Sequence, residues 1–138
     1  MTPEETSAFL LAGTRTGKLA WVSQKGAPHV APIWFILDGD DIIFNTHKDS
    51  GKAKALAREG RGSMVVDLEE PPYAFVKIDG TISFDDDLDH IRSVATQIGG
   101  RYMGADRAEE YGARNGVPGE LVVRLTPTKI TALGGLSD

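Results

Sequence analysis

Residues 29–46, HVAPIWFILDGDDIIFNT, contain two apolar runs separated by an acidic turn with a glycine. Residues 29–37 are apolar on both faces, which predicts a strand that is buried on both sides. Residues 38–41, DGDD, have the turn residues of a β-hairpin, and residues 41–46 are predicted to return as the partner strand. This hairpin predicts an antiparallel sheet as the basis of the fold.

The rest of the chain predicts further strands and a few helices. One strand is predicted before the hairpin, at GKLAWVSQ, and three after it, at GSMVVDLEE, YAFVKIDGTISF and GELVVRLTPTKITALGG. Helices are predicted after Thr2, after Ser50, over residues 85–104 with an interruption near Gly99, and over residues 106–114. Six strands with few helices and no βαβ rhythm predict a mainly β fold, a six-stranded antiparallel barrel in a single domain, residues 1–138.

The overall composition restricts the classes of function. The chain has 138 residues, a formal net charge of −5, three histidines and no cysteine. The acidic balance argues against a nucleic-acid or membrane partner, so any anion site must be local. Because thiolates are absent and the histidines lack ligand spacing, no metal site is predicted. Without a secretory signal or an apolar run of membrane-spanning length, the expected location is the cytoplasm.

A local basic cluster lies in residues 44–61, FNTHKDSGKAKALAREGR, which contain five Lys or Arg side chains around one serine. Ser50 is a natural N-cap, so Lys48 and Lys52 flank the positive end of a helix dipole, where a cation is unfavourable. The first and third predicted helices have acids in the corresponding turn. This inversion predicts a bound anion such as a phosphate, with a solvated basic face as the alternative.

Several pieces of the chain stand in the order and spacing of a known family. They are Pro28-His29-Val30, Pro32-Ile33-Trp34-Phe35, the turn Asp38-Gly39-Asp40, Asn45-Thr46, and Ser50, Lys52 and Leu56, together with the segments PYAFVKIDGTISF and VVRLTPTKI. These pieces resemble the pyridoxamine 5'-phosphate oxidase-like, FMN-binding split β-barrels. Within that family, the chain is most similar to the actinobacterial branch that depends on the deazaflavin coenzyme F420, the flavin/deazaflavin oxidoreductases B.

The resemblance implies a homodimer of split barrels with two cofactor sites at the subunit interface. It places the backbone of Pro32, Ile33 and Trp34 beside the tricyclic ring of the cofactor. Asn45 and Thr46 would reach the polar edge of that ring or the ribityl hydroxyls.

The cations are assigned by the same resemblance. Lys48, Ser50 and Lys52 would hold the cofactor phosphate. Lys54, Arg58 and Arg61 are candidates for a longer anionic tail. Arg101 and Tyr102 would contribute to the pocket of the partner subunit, with the capping of a helix as the alternative.

The resemblance also implies the reaction, a hydride transfer from reduced F420 to an unsaturated small molecule. A reduced deazaflavin carries the hydride, so no obligatory acid or base is named, and the proton is expected from solvent, Tyr102 or His47. The alternatives are an FMN-dependent oxidoreductase of the same fold and a non-catalytic protein that carries the cofactor. The five cations exceed the needs of the single phosphate of FMN, which favours F420 with its acidic glutamyl tail.

Overall fold

The computed structural model describes all residues, 1–138, as one antiparallel sheet with helices around it. In chain order the elements are α1 (Pro3–Leu11), β1 (Gly17–Val22), β2 (Pro28–Ile33), β3 (Ile36–Asp38), β4 (Asp41–His47), α2 (Gly51–Glu59), β5 (Arg61–Leu68), β6 (Ala74–Asp85), α3 (Leu88–Met103), a 3₁₀ turn (Ala105–Arg107), α4 (Ala108–Asn115) and β7 (Glu120–Leu133). The seven strands follow the order β2-β1-β5-β6-β7-β4-β3. The mainly β fold is therefore confirmed, with seven strands instead of the predicted six.

The extra strand arises because residues 29–37 do not form one continuous strand. β2 ends at Ile33 and β3 begins at Ile36. Between them, the amide of Phe35 donates to the Tyr102 hydroxyl, and the carbonyl of Phe35 accepts from Arg101. Because side chains of α3 satisfy these backbone groups, the chain leaves the ladder at this point without an unpaired buried polar group.

The predicted burial of residues 29–37 on both sides is wrong within the chain. β2 is an edge strand that pairs only with β1, and His29, Val30 and Pro32 are exposed. An edge position tolerates Pro32, which has no amide to donate to a further strand. The strand that is buried on both sides is β4, where residues 42–44 are buried in succession.

Two apolar clusters lie on opposite faces of β4. Ile42 and Phe44 belong to the main core, which fills the barrel between the strands and α1 and α2. Ile43 faces the other way and packs with the apolar stripe of α3, which includes Ile91 and Ile98. α3 is thereby held against the outside of the barrel, next to the break between β2 and β3.

The prediction of an interruption near Gly99 is wrong, because α3 continues without a break to Met103. A Cβ atom at Gly99 would lie 2.4 Å from the Cβ atom of Tyr111 on α4. A Cβ atom at Gly112 would likewise lie 2.0 Å from the Thr96 hydroxyl. The glycines therefore allow α3 and α4 to pack closely, and they do not end the helix.

The predicted helix caps are confirmed where the sequence placed them. The Thr2 hydroxyl accepts from the Glu5 amide at 3.1 Å, and the Ser50 hydroxyl accepts from the Ala53 amide at 3.0 Å. α2 ends at Gly60, whose φ of +69° is the left-handed conformation that glycine adopts without strain. None of the helices is long and apolar enough to cross a membrane.

Candidate functional site

A cleft of about 290 Å³ opens where the break between β2 and β3 meets α2, α3 and the start of β7. We call it the central cleft. It is lined by Pro32, Ile33, Trp34, Asn45, Lys52, Ala95, Ile98, Gly99, Asn115 and Glu120. The first five of these are residues that the sequence predicted to bind a cofactor. The fold therefore brings together one apolar wall, two carboxamides, one lysine and one carboxyl group from distant parts of the chain.

The N-terminus of α2 is fixed by a pair of hydroxyls. Besides capping Ala53, the Ser50 hydroxyl lies 3.2 Å from the hydroxyl of Thr46 in a hydrogen bond. Thr46 is buried, so its side chain supports the cap and does not face the central cleft. Asn45, the neighbouring residue on β4, points to the other side and lines the cleft. The amides of Gly51 and Lys52, the first two of the helix, have no intrahelical partner.

Lys52 is a partly buried cation without an anionic partner. It makes no hydrogen bond or ion pair within the chain, and its ammonium lies 5.8 Å from the centre of the Trp21 ring. Burial lowers the pKa of Lys52 from its ordinary value, because water is withdrawn from the charged form. A desolvated ammonium without an anionic partner, on the first turn of a helix whose first amides are unpaired, favours the binding of an external anion.

A second cavity of about 450 Å³ adjoins the central cleft and shares Lys52 with it. Lys52, Lys54 and Arg58 supply its cations, and we call it the basic groove. Lys54 is exposed and makes no ion pair, whereas Arg58 donates to the carbonyl of Val22 at 2.5 Å and forms an ion pair with Glu59 at 3.3 Å. Three of the five predicted cations therefore face one groove beside the cap of α2.

The other two cations lie elsewhere. Lys48 is exposed and lines neither cavity, although its amide donates to the carbonyl of Gly119 at 2.9 Å. Arg61 lines a cavity of about 540 Å³ with Glu59 and Asp79, and this cavity adjoins the basic groove at Trp21, His29 and Ala55. The sequence grouped these cations because they are close along the chain, but the fold brings neither Lys48 nor Arg61 into the basic groove.

Arg101 and Tyr102 are occupied with backbone groups of their own chain. Arg101 donates to the carbonyl groups of Leu10, Gly13 and Phe35 at 2.8, 3.2 and 2.6 Å. It thereby joins the end of α1 to the break between β2 and β3. The contact with Leu10 is of the helix-capping kind, while a contribution of Arg101 and Tyr102 to the pocket of a partner subunit stays a prediction.

Tyr102 positions the wall of the central cleft. Its hydroxyl donates to the carbonyl of Arg15 at 2.8 Å and accepts from the amide of Phe35 at 3.2 Å. Burial raises the pKa of this phenol above its ordinary value. Its ring stacks on that of Trp34. The indole is therefore held by a phenol ring whose hydroxyl is bonded to the backbone.

Glu120 and Asn115 are cleft residues that the sequence did not indicate. Glu120 is the first residue of β7 and pairs with His47 across the ladder to β4. Its carboxyl makes no hydrogen bond or ion pair. Burial raises the pKa of Glu120, and the positive charge of His47 opposes that rise. In the sequence Glu120 is an ordinary acid at the start of a strand, so no local signal marks it.

The sequence profile described as pyridoxamine 5'-phosphate oxidase matches residues 2–134 of the chain. No curated protein sequence matches the chain. Among solved structures, a conserved hypothetical protein from Mycobacterium tuberculosis has a TM-score of 0.85 at 20% identity and covers 99% of this chain and 87% of its own. An F420 reductase has a TM-score of 0.70 at 22% identity, and the match covers 90% of this chain and 94% of the reductase. The haem storage protein HutZ from Vibrio cholerae has a TM-score of 0.73 at 18% identity and covers 100% of both chains.

Proposed function

The chain belongs to the pyridoxamine 5'-phosphate oxidase family of split barrels, and we propose that it is an oxidoreductase that uses the deazaflavin coenzyme F420. When bound in its reduced form, this coenzyme supplies a hydride, here for an electron-poor carbon of an unsaturated small molecule. The observation that carries the proposal is Lys52, a partly buried cation without a partner at the junction of the central cleft and the basic groove.

The residues of the site fit the parts of such a cofactor. The free amides at the start of α2 and the ammonium of Lys52 would hold a phosphate, since charge-assisted hydrogen bonds at a helix N-terminus favour anions. Pro32, Ile33 and Trp34 line the cleft and would supply an apolar wall for a flat ring, and the carboxamide of Asn45 would contact its polar edge.

The basic groove supports the choice of F420 over FMN in this proposal. Beyond the phosphate, FMN carries no further anion, whereas F420 continues into a glutamyl tail with several carboxylates. Lys54 and Arg58 line the groove on the far side of Lys52, and Lys54 has no anionic partner in the chain. This surplus of cations favours F420, and an FMN-dependent enzyme is the second candidate.

We further propose that the protein functions as a homodimer in the cytoplasm. Val30 on the edge strand β2 is 68% exposed, and the neighbouring Trp34 is 39% exposed. Exposed apolar side chains beside a binding cleft are typical of a surface that a second subunit covers. The absence of cysteine agrees with a reducing compartment.

A binding titration tests the proposed function directly. Purified protein is titrated with F420, FMN and hemin, and binding is followed by fluorescence or absorbance. We expect F420 to bind most tightly, and its affinity to fall as salt screens the contacts of its tail. Tighter binding of FMN would select the second candidate, and preferential binding of hemin would reject both. A protein that binds reduced F420 but transfers no hydride to any unsaturated substrate would be a carrier.

A further inference from the structure

We propose that Glu120 is the proton donor of the reduction, delivering its proton to the substrate carbon next to the one that receives the hydride. The inference rests on the proposed function and adds an acid to it. Glu120 lines the central cleft together with Pro32 and Trp34 of the apolar wall. It is the only carboxyl group among the ten residues that line this cleft.

The other proton donors that the sequence suggested, Tyr102 and His47, are less suited than Glu120 to protonate a substrate in the central cleft. The hydroxyl proton of Tyr102 is already donated to the carbonyl of Arg15, and burial makes this phenol a weaker acid by raising its pKa. The side chain of His47 is 53% exposed, and its Nδ1 atom accepts from the amide of Asp49. His47 does not line the central cleft. Glu120 remains as the acid that faces the space for substrate.

The surroundings of Glu120 favour the protonated form of its carboxyl group. Its carboxyl has no hydrogen-bond or ion-pair partner, and burial raises its pKa more than the facing His47 of β4 lowers it. Lys52 of α2 is the other ionisable group of the cleft, and it lies too far away to form an ion pair. The cleft residues from α3 and from the end of α4 are uncharged, namely Ala95, Ile98, Gly99 and Asn115. A donor whose pKa is shifted towards the working pH is effective in general acid catalysis.

The step balances for an α,β-unsaturated carbonyl compound. The β carbon of the substrate takes the hydride from the reduced flavin or deazaflavin, and the α carbon takes the proton from Glu120. The C=C π bond breaks and two C–H bonds form, so the substrate gains two electrons while the cofactor is oxidised by two. The carboxylate of Glu120 regains its proton from water.

The test compares Glu120→Gln with Glu109→Gln, which changes an exposed glutamate on α4 that makes no hydrogen bond or ion pair. The first readout does not depend on activity. In protein with ¹³C-labelled glutamate, we expect one carboxyl resonance with a raised pKa that disappears in Glu120→Gln, persists in Glu109→Gln and shifts when F420 is added. If F420 binds but the chemical shift of the Glu120 resonance does not change, the inference is overturned while the proposed cofactor binding stands.

The second readout is single-turnover oxidation of bound reduced F420. With 2-cyclohexen-1-one as acceptor, Glu120→Gln should be slower than the parent by about 100-fold or more, and the fall in rate at high pH should disappear. With the dye dichlorophenolindophenol, whose new N–H and O–H protons exchange with water, both proteins should react alike. Equal rates with the enone would overturn the assignment of Glu120. Failure of the parent to bind F420 or FMN would refute the proposed function itself, and a parent that binds the cofactor but does not reduce the enone would overturn the proton transfer proposed here.

Discussion

The indole ring of Trp34 lies flat on the phenol ring of Tyr102, with centroids 4.9 Å apart and planes inclined by only 2°. Trp34 forms the exposed wall of the central cleft, and Tyr102 belongs to α3 behind it. Because the Tyr102 hydroxyl bonds the carbonyl of Arg15 before β1 and the amide of Phe35 between β2 and β3, the stack fixes the wall of the site to α3.

Replacement of Tyr102 by Phe tests this anchor. The change leaves the carbonyl of Arg15 and the amide of Phe35 without their partner, which should cost about 1–3 kcal/mol of unfolding free energy. The emission of Trp34 should also change as its support loosens. Urea unfolding and tryptophan fluorescence measure both effects. Tyr73→Phe is the control, because Tyr73 is exposed and its hydroxyl makes no hydrogen bond. Equal stability of the two variants would contradict the anchoring role.

Replacement of Lys52 by Met removes the charge and keeps an apolar stem beside Trp21. Cofactor affinity should fall roughly 10- to 100-fold, the value of a charge-assisted contact of about 1.5–3 kcal/mol. Without cofactor, the variant should be as stable as the parent or slightly more stable, because an ammonium is unfavourable at this buried helix start. Titration and thermal unfolding measure the two quantities.

The gain in stability has a defined pH dependence. Burial lowers the folded-state pKa of Lys52, so the charged form destabilises the fold at every pH below that pKa. This destabilisation decreases as the pH rises from the folded-state pKa of Lys52 to the pKa of the same lysine in the unfolded chain, and it is absent above the latter. The difference between Lys52→Met and the parent should therefore shrink in alkaline buffer. Lys25→Met, at an exposed turn lysine, is the control for general charge effects.

Replacement of Ser50 by Ala should affect both binding and stability. The variant loses the cap on Ala53 and should lose about 1 kcal/mol of unfolding free energy, together with cofactor affinity. Thr46→Val is the matched variant, because it removes only the hydroxyl that supports Ser50 and leaves the cap in place. If Ser50→Ala bound cofactor like the parent, the start of α2 would not be the phosphate site.

Replacement of Gly99 by Ala tests the packing of α3 on α4. The new methyl group would collide with the Cβ atom of Tyr111, 2.4 Å away, and should cost about 1–3 kcal/mol. Gly51→Ala offers a contrast within the same chain, because no atom lies within 4 Å of the new methyl group. It should stabilise the protein by about 0.4–1 kcal/mol, because alanine lowers the conformational entropy of the unfolded chain. Chemical unfolding of both variants gives the comparison.

The proposed dimer is tested at the edge strand β2. We expect the parent to sediment as a dimer at micromolar concentration, and Val30→Glu to sediment as a monomer with weakened cofactor binding. Val117→Glu introduces the same charge at another exposed valine, in the loop before β7, and should leave the dimer intact. A monomeric parent that binds cofactor fully would place the whole site within one chain.

Local signals in the sequence were sufficient for the hairpin turn and for the helix caps. The break after Ile33 was not predictable from local signals, because the hydrogen-bond partners of the Phe35 backbone are Arg101 and Tyr102, far along the chain. Gly99 was misread for a similar reason. A glycine within a helix indicates an interruption unless the neighbouring element that needs the space, here Tyr111, is known.

The residues of the candidate site also differ in whether a local sequence signal could predict them. Lys52 was predictable, since a cation at the start of a helix breaks a local electrostatic preference. Glu120 and Asn115 break no such preference and reach the central cleft only through the packing of β7 and α4. Lys48 and Arg61 show the converse, because closeness in sequence did not bring them into the basic groove.

The pairing of β4 with β7 has a consequence for biosynthesis. Asn45 of β4 bonds the carbonyl of Leu121, and its strand has β7 as one of its two partners. On the ribosome, the residues around Asn45 and Lys52 emerge long before β7 and must wait for it, as is typical of folds with high contact order. A nascent chain therefore cannot assemble the central cleft until β7 has left the exit tunnel.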